Sequence, residues 1–175
     1  MQRHPIRLWA LRLLAVFALS ALTILPAAAA DAVFPLASRI GLIPPEGFEA
    51  SKSFMGFEDR QNSAFIRLIG LPEKAFAEIE KTLNNEALTK QGMTVEKRET
   101  LPLKGGNGIL VVARQNTPEG PIRKWLLIAP VEKMTGMVSF EVPIKTPALY
   151  PDTAIRASLA SLTMRTEVPA EEQLW

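Results

Sequence analysis

The sequence predicts an α+β domain in which an antiparallel sheet of about six to seven strands is covered by helices on both faces. Short apolar segments follow one another with brief turn sequences between them, as in a meander of neighbouring strands. The segments 63–70, 109–115 and 122–129 are apolar at successive positions, which is typical of strands buried on both faces. Two segments with helical periodicity supply the covers, so the predicted element order is β-β-β-α-β-β-β-β-α.

Residues 1–30 have the three parts of a secretory signal peptide. Arg3 and Arg7 give a positively charged start, an apolar stretch follows to Leu25, and small side chains up to Ala30 suit a signal peptidase. The apolar stretch is shorter than the roughly twenty residues that a membrane-spanning helix needs. We therefore expect Sec-type export to the periplasm or the exterior, cleavage near Ala30 and no stable membrane anchor afterwards. An uncleaved anchor is the alternative.

The first half of the remaining chain predicts extended segments followed by a helix. Strands are expected at 39–43 and 63–70, and the Phe-rich segment 48–57 between them is also expected to be extended. A helix is expected from Pro72 to Gly92, because proline suits a first helical turn and glycine suits a stop. The Asn84–Asn85 pair can interrupt that helix. Its apolar stripe consists of Phe76, Ile79, Leu83 and Ala87.

The second half predicts a four-strand meander and a closing helix. The expected strands are 93–101, 109–115, 122–129 and 137–142. Asp152 is expected to cap the closing helix. These elements would complete one α/β sandwich domain over residues 31–166, and the acidic stretch 167–175 is expected to be a mobile tail.

The residue inventory excludes several classes of function. His4 is the only histidine and the chain has no cysteine, so residues 31–175 contain neither imidazole nor thiol. Catalysis by Ser-His-Asp or Cys-His groups is excluded there, as are metal sites built from His or Cys. Residues 31–175 carry seventeen basic and eighteen acidic side chains, and they lack the basic surplus of a nucleic-acid-binding protein. We predict no enzyme, no catalytic residue, no metal, no cofactor and no nucleic-acid partner.

The segment 42–48 has the sequence LIPPEGF, and it is followed by the early strands, the single helix, the meander and a final helix over Ala154–Arg165. In this segment and this order of elements the chain resembles the PsbP-like superfamily. The superfamily includes the photosystem II PsbP subunit, the Ran-binding Mog proteins and bacterial DcrB-type envelope proteins. The resemblance covers 38–165 and implies a sandwich fold with a binding or assembly role. The chain departs from the DcrB-type proteins because it lacks their lipid-anchoring cysteine.

An aromatic cluster is the first candidate for a binding site. Phe48, Phe54, Met55 and Phe57 lie close together in a segment without regular periodicity. They either pack in the core or form a partly exposed patch that docks a partner or a lipid chain.

Three arginines within apolar strands are the second candidate. Arg67, Arg114 and Arg123 need charged or polar partners if their strands are buried. They either converge on a carboxylate or phosphate ligand, or pair with acidic neighbours, or lie at strand ends in water. The acidic neighbours are Glu99, Glu132 and Glu141.

The expected function is that of a non-catalytic binding or assembly module of the bacterial cell envelope, with another envelope protein as partner. The alternative is a periplasmic carrier of a small apolar or anionic ligand held between sheet and helix. A carboxylate-based enzyme is the weaker alternative, because the adjacent Glu58 and Asp59 point to opposite faces of a strand and are expected to be solvated. A closed pocket with two carboxyls of raised pKa would favour the enzyme.

Overall fold

Seven antiparallel strands form the main sheet of the structure, a computed structural model that describes residues 31–173. The predicted signal peptide and its cleavage site lie outside the described residues. The strands in chain order are β1 (Ile40–Gly41), β2 (Glu49–Ala50), β3 (Gly56–Asp59), β4 (Ala64–Pro72), β5 (Met93–Leu103), β6 (Gly106–Thr117), β7 (Gly120–Val131), β8 (Met134–Pro143) and β9 (Thr163–Met164). Across the main sheet the order is β2-β3-β4-β8-β7-β6-β5, and β1 pairs with β9 in a separate two-stranded sheet. The predicted antiparallel sheet of six to seven strands is confirmed.

Within residues 31–173, three short α-helices accompany the strands. They are α1 (Ala75–Thr82), α2 (Asn85–Lys90) and α3 (Asp152–Ala160), and 3₁₀ turns occur at Pro147–Leu149 and Ala170–Glu172. The helix predicted from Pro72 to Gly92 is thus divided in two, because Asn84 caps α2 by accepting a hydrogen bond from the Ala87 backbone. None of the helices in the described part of the chain could span a bilayer.

Alternation along the strands separates two apolar clusters on the two faces of the sheet. On the first face, Leu110 and Val112 of β6 pack in a large core that includes Ile155 and Leu159 of α3. On the second face, the intervening side chains form a small cluster. Its fully buried members are Leu88, Met93, Val111 and Ala113. Most of the hydrophobic core therefore lies between the first face and α3.

The sequence analysis predicted helices on both faces of the sheet, and this prediction is wrong: the second face is only partly covered. No residue of α1 is buried, and Leu88 is the only buried residue of α2. On β4 the first-face side chains are buried, whereas the second-face residues Arg67 and Ile69 are exposed. A helix is about 10 Å wide and neighbouring strands lie about 4.8 Å apart, so two short helices cannot cover seven strands.

The two ends of the described chain are held together on the first-face side. Ile40 of β1 pairs with Met164 of β9. Arg165 donates from Nε to the Ser38 carbonyl at 2.7 Å, and its guanidinium binds both carboxylate oxygens of Glu172 at 3.0 and 2.5 Å. Glu172 lies in the stretch 167–175, so that part of the predicted mobile tail contacts Arg165.

Asp152 does not cap α3 as the sequence suggested. Pro151 occupies the N-cap position and Asp152 is the first helical residue. The Asp152 carboxylate instead accepts a hydrogen bond from Trp125 Nε1 at 2.9 Å and pairs with Arg156 one turn later. The side chain thereby joins α3 to β7 in addition to complementing the positive end of the helix.

Candidate functional site

The β4–β8 half of the second face is not buried by the described residues. We call it the bare face and define it by Phe54, Phe65, Arg67, Ile69 and Met137. Ile69 lies opposite Met137 in the β4–β8 register, and its side chain is 44% exposed. Phe54, Phe65 and Met137 are half-buried. Solvent therefore reaches a group of apolar and aromatic side chains around Arg67, on β4, β8 and the loop before β3.

Arg67 lies at the centre of the bare face between two aromatic rings. Its guanidinium carbon is 5.2 Å from the ring centroid of Phe54 and 5.1 Å from that of Phe65. The two rings meet edge to face at 6.1 Å. Both distances to the guanidinium are within the range of cation–π attraction, so the rings restrict where the Arg67 head group can lie.

Glu141 of β8 lies beside the bare face, opposite Phe65, and has three partners. It accepts hydrogen bonds from Ser139 Oγ at 2.8 Å and from Arg67 Nη1, and Lys124 Nζ lies 3.1 Å from its Oε1. Burial raises the pKa of Glu141, but Lys124, Ser139 and Arg67 lower it by more, so the pKa lies below its ordinary value. Glu141 is therefore ionised at neutral pH, and its one negative charge is paired with the two positive charges of Arg67 and Lys124.

The structure separates the four members of the predicted aromatic cluster. Phe48 and Phe57 belong to the core of the first face, where Phe48 packs edge-on against Phe140 at 5.2 Å. Phe54 is half-buried beside Arg67, and Met55 is 53% exposed. The core interpretation thus holds for Phe48 and Phe57, whereas Phe54 and Met55 are accessible.

The three predicted arginines do not converge. Arg67 lies on the second face, whereas Arg114 and Arg123 face each other across β6 and β7 on the first-face side. Arg114 and Arg123 both bind Glu96, at 2.5 and 2.9 Å. The sequence analysis missed Glu96 because it lies at a β-bulge between Val95 and Lys97, where simple alternation fails.

A polar cleft of about 710 Å³ lies at the end of the sheet near the β3–β4 turn. It is lined by Glu46, Gly47, Glu49, Ala50, Lys52, Glu58, Asp59, Arg60, Gln61, Asn62, Leu149 and Tyr150. Asp59 is only 7% exposed, and it accepts hydrogen bonds from Tyr150 Oη at 2.5 Å and Asn62 Nδ2 at 2.7 Å. The expectation that Asp59 is solvated is therefore wrong. Sequence alternation cannot reveal the distant Tyr150 as its partner.

Neither adjacent carboxyl in the cleft is held in its protonated form. A hydrogen bond from Arg60 lowers the pKa of Glu58. Burial raises the pKa of Asp59, but hydrogen bonds from Tyr150 and Asn62 outweigh it and the pKa is lowered. Burial and the hydrogen bond to Asp59 raise the pKa of Tyr150. Two ionised carboxylates at neutral pH do not form an acid–base pair. No group of His, Cys, Asp and Glu side chains in residues 31–173 is arranged to hold a metal ion.

An apolar groove of about 280 Å³ lies where α1 and α2 meet the second face of the sheet. It is lined by Ile79, Thr82, Leu83, Ala87, Leu88, Gln91, Leu126, Ile128 and Met137. Met137 also belongs to the bare face, so the groove opens beside it. Its volume lies just below the usual range of about 300–1,000 Å³ for ligand pockets.

Comparison with known proteins leaves the family open. No family model matches the chain, and no curated protein matches it. Among solved structures the chain is similar to a protein from Bacteroides thetaiotaomicron VPI-5482, with 14% sequence identity and a TM-score of 0.43. The likeness covers 74% of this chain and 46% of that one, so this chain spans less than half of the other's length. A likeness at that level carries no argument about fold or function.

Proposed function

We propose that the protein is an exported, non-catalytic binding module of the bacterial cell envelope that docks another envelope protein through the bare face. The observation that carries the proposal is a half-exposed row of Phe, Arg, Ile and Met side chains on an uncovered part of the sheet. Aromatic residues, Met and Arg are enriched at protein interfaces, and Arg is frequent among their energetic hot spots. A partner that buries this apolar surface gains about 25 cal/mol of free energy per Å² removed from water.

The rigidity of the bare face also supports docking. β4 is hydrogen-bonded to β3 on one side and to β8 on the other. The side chains of Phe65 and Arg67 therefore project from a part of β4 that is paired along both edges, and Ile69 projects from a part that is paired with β8. A surface ordered before binding loses less conformational entropy when a partner arrives.

The location in the envelope rests on the signal-peptide pattern of residues 1–30. The resemblance to the PsbP-like superfamily agrees with a binding role and with a sandwich whose second face is partly covered by α1 and α2. Both the export and the superfamily relationship stay predictions. Amino-terminal sequencing of the exported protein tests the first, and a start at Ala30 or Asp31 is the expected result.

A charge placed on the bare face tests the docking function. Ile69→Glu puts a carboxylate among the apolar side chains, and Leu36→Glu makes the same change at a matched site, 47% exposed, in the amino-terminal segment. Both variants and the wild type are used to retain proteins from envelope extract, with quantitative mass spectrometry. We expect one protein to be retained at least about ten-fold less by Ile69→Glu and unchanged by Leu36→Glu. Identical retention by all three would contradict the proposal.

The apolar groove supports a second candidate function, a carrier of a small apolar ligand. The groove lies between helix and sheet, and α1 leaves Ile79 and Leu83 only half-buried above it. Native mass spectrometry of the purified protein should then detect a bound apolar molecule. Ile79→Trp fills the groove and should remove that molecule. A wild-type mass equal to that of the bare polypeptide would contradict the carrier.

A further inference from the structure

Arg67 has hydrogen-bonding capacity that the described chain does not use. A guanidinium carries five N–H donors in a planar fork. Within residues 31–173, the one hydrogen-bond acceptor of Arg67 is Glu141, which binds Nη1. The Arg67 side chain is 44% exposed, so an approaching partner can reach it.

Arg67, Lys124 and Glu141 together carry one net positive charge, because the two cations share one carboxylate. The next carboxylate on the same face, Glu58 of β3, is paired with Arg60. The Lys124 side chain is 16% exposed and the Glu141 side chain 13%, so both lie deeper than Arg67. A partner that approaches the bare face therefore meets Arg67 as the accessible cation, surrounded by apolar and aromatic side chains. Charge complementarity therefore favours a partner with a carboxylate opposite Arg67.

The geometry around Arg67 favours recognition of a planar anion over simple charge attraction. Phe54 and Phe65 hold the guanidinium from two directions, and Glu141 fixes one end of it. A guanidinium held in this way can donate two parallel hydrogen bonds to one carboxylate. Lysine at this position would keep the charge but lose the fork and much of the ring stacking.

We propose that the docking partner presents an Asp or Glu side chain flanked by apolar residues. Its carboxylate binds Arg67, and its apolar neighbours pack on Phe54, Ile69 and Met137. This inference rests on the proposed docking function and adds the chemistry of the partner.

A random twelve-residue peptide library displayed on phage is the probe. The protein is expressed from the full-length sequence, and clones that bind wild type but not Ile69→Glu are kept as specific for the bare face. We expect these clones to share an acidic residue beside apolar ones. The matching synthetic peptide should bind Arg67→Gln about ten-fold more weakly than wild type, the effect of losing a charge-assisted hydrogen bond. Arg114→Gln, a change at another exposed strand arginine, should bind it as wild type does.

A double-mutant cycle gives the decisive reading. Changing the acidic residue of the peptide to its amide should also cost about ten-fold, and Arg67→Gln should then add no further loss. Selected peptides without an acidic residue, or losses that simply multiply, would overturn the role of Arg67 and leave the docking face in place. A library that yields no clone sensitive to Ile69→Glu would contradict the docking face itself. Arg67→Lys, with an intermediate loss expected, repeats the test if Arg67→Gln does not fold.

Discussion

The hydrogen bond between Tyr150 and Asp59 joins residues far apart in the sequence. Tyr150 is 6% exposed and Asp59 is 7% exposed, so neither group can exchange its partner for bulk water without a local rearrangement. We predict that Tyr150→Phe lowers the free energy of unfolding by about 1–2 kcal/mol, because a buried carboxylate loses a donor. Urea denaturation measures the change. Leu149→Ala, at the exposed neighbouring residue, should change it by less than about 0.5 kcal/mol. If Tyr150→Phe were as stable as the wild type, the Tyr150–Asp59 hydrogen bond would not stabilise the fold as proposed.

The same carboxylate makes stability depend on pH. The pKa of Asp59 lies below its ordinary value of 3.8 in the folded protein. A lowered folded-state pKa stabilises the fold above the unfolded-state pKa, and this stabilisation is lost as the pH falls through the folded-state pKa. We predict that the unfolding free energy of wild type falls more steeply below about pH 4 than that of Asp59→Asn. Parallel curves for the two proteins across the acid range would show that Asp59 has no such role.

At the scale of single elements, the conformation of Gly56 is required by the β3–β4 pairing. Gly56 has φ of +153°, and a Cβ there would lie 1.9 Å from the Ile66 carbonyl oxygen. We predict that Gly56→Ala destabilises the protein by about 3 kcal/mol or more, because both the backbone conformation and the strand pairing are disturbed. Gly92→Ala is the control, since Gly92 also has positive φ (+77°) but nothing within 4 Å of the added carbon. Gly92→Ala should lower the free energy of unfolding by about 1 kcal/mol. Thermal unfolding that ranks the two variants in the opposite order would contradict the geometry.

The helices should differ in what they contribute to stability. Leu159 of α3 is fully buried on the first face, whereas Ile79 of α1 is half-buried over the apolar groove. We predict a loss of about 3 kcal/mol for Leu159→Ala and about 1 kcal/mol for Ile79→Ala, measured by urea denaturation. Comparable losses would mean that α1 packs as tightly as α3.

Local patterns were sufficient to locate most of the elements. Short turns at 104–105 and 118–119 separate β5, β6 and β7 between the apolar segments predicted as strands, because glycine and proline favour tight turns. The exposure of β4 could not be predicted in this way. Phe65 and Ile69 have the same apolar character as buried residues, and their environment depends on how far α1 reaches across the sheet.

At the scale of the whole molecule, the width of the sheet accounts for the bare face. Seven strands about 4.8 Å apart span roughly 29 Å, and the eight residues of α1 make a helix only about 12 Å long. Arg67 is separated from Arg114 and Arg123 because strand alternation places it on the opposite face of the sheet. Sequence periodicity predicts on which face of the sheet each side chain lies, but not how much of that face the helices cover.

Site-specific photo-crosslinking in the native host is the most direct test of the bare face as a docking surface. A photoreactive amino acid replaces Ile69 in one strain and Leu36 in another, two positions of similar exposure. After irradiation of intact cells, we expect one discrete crosslinked species from position 69 and none from position 36. A partner captured equally at both positions, or only at position 36, would contradict the account.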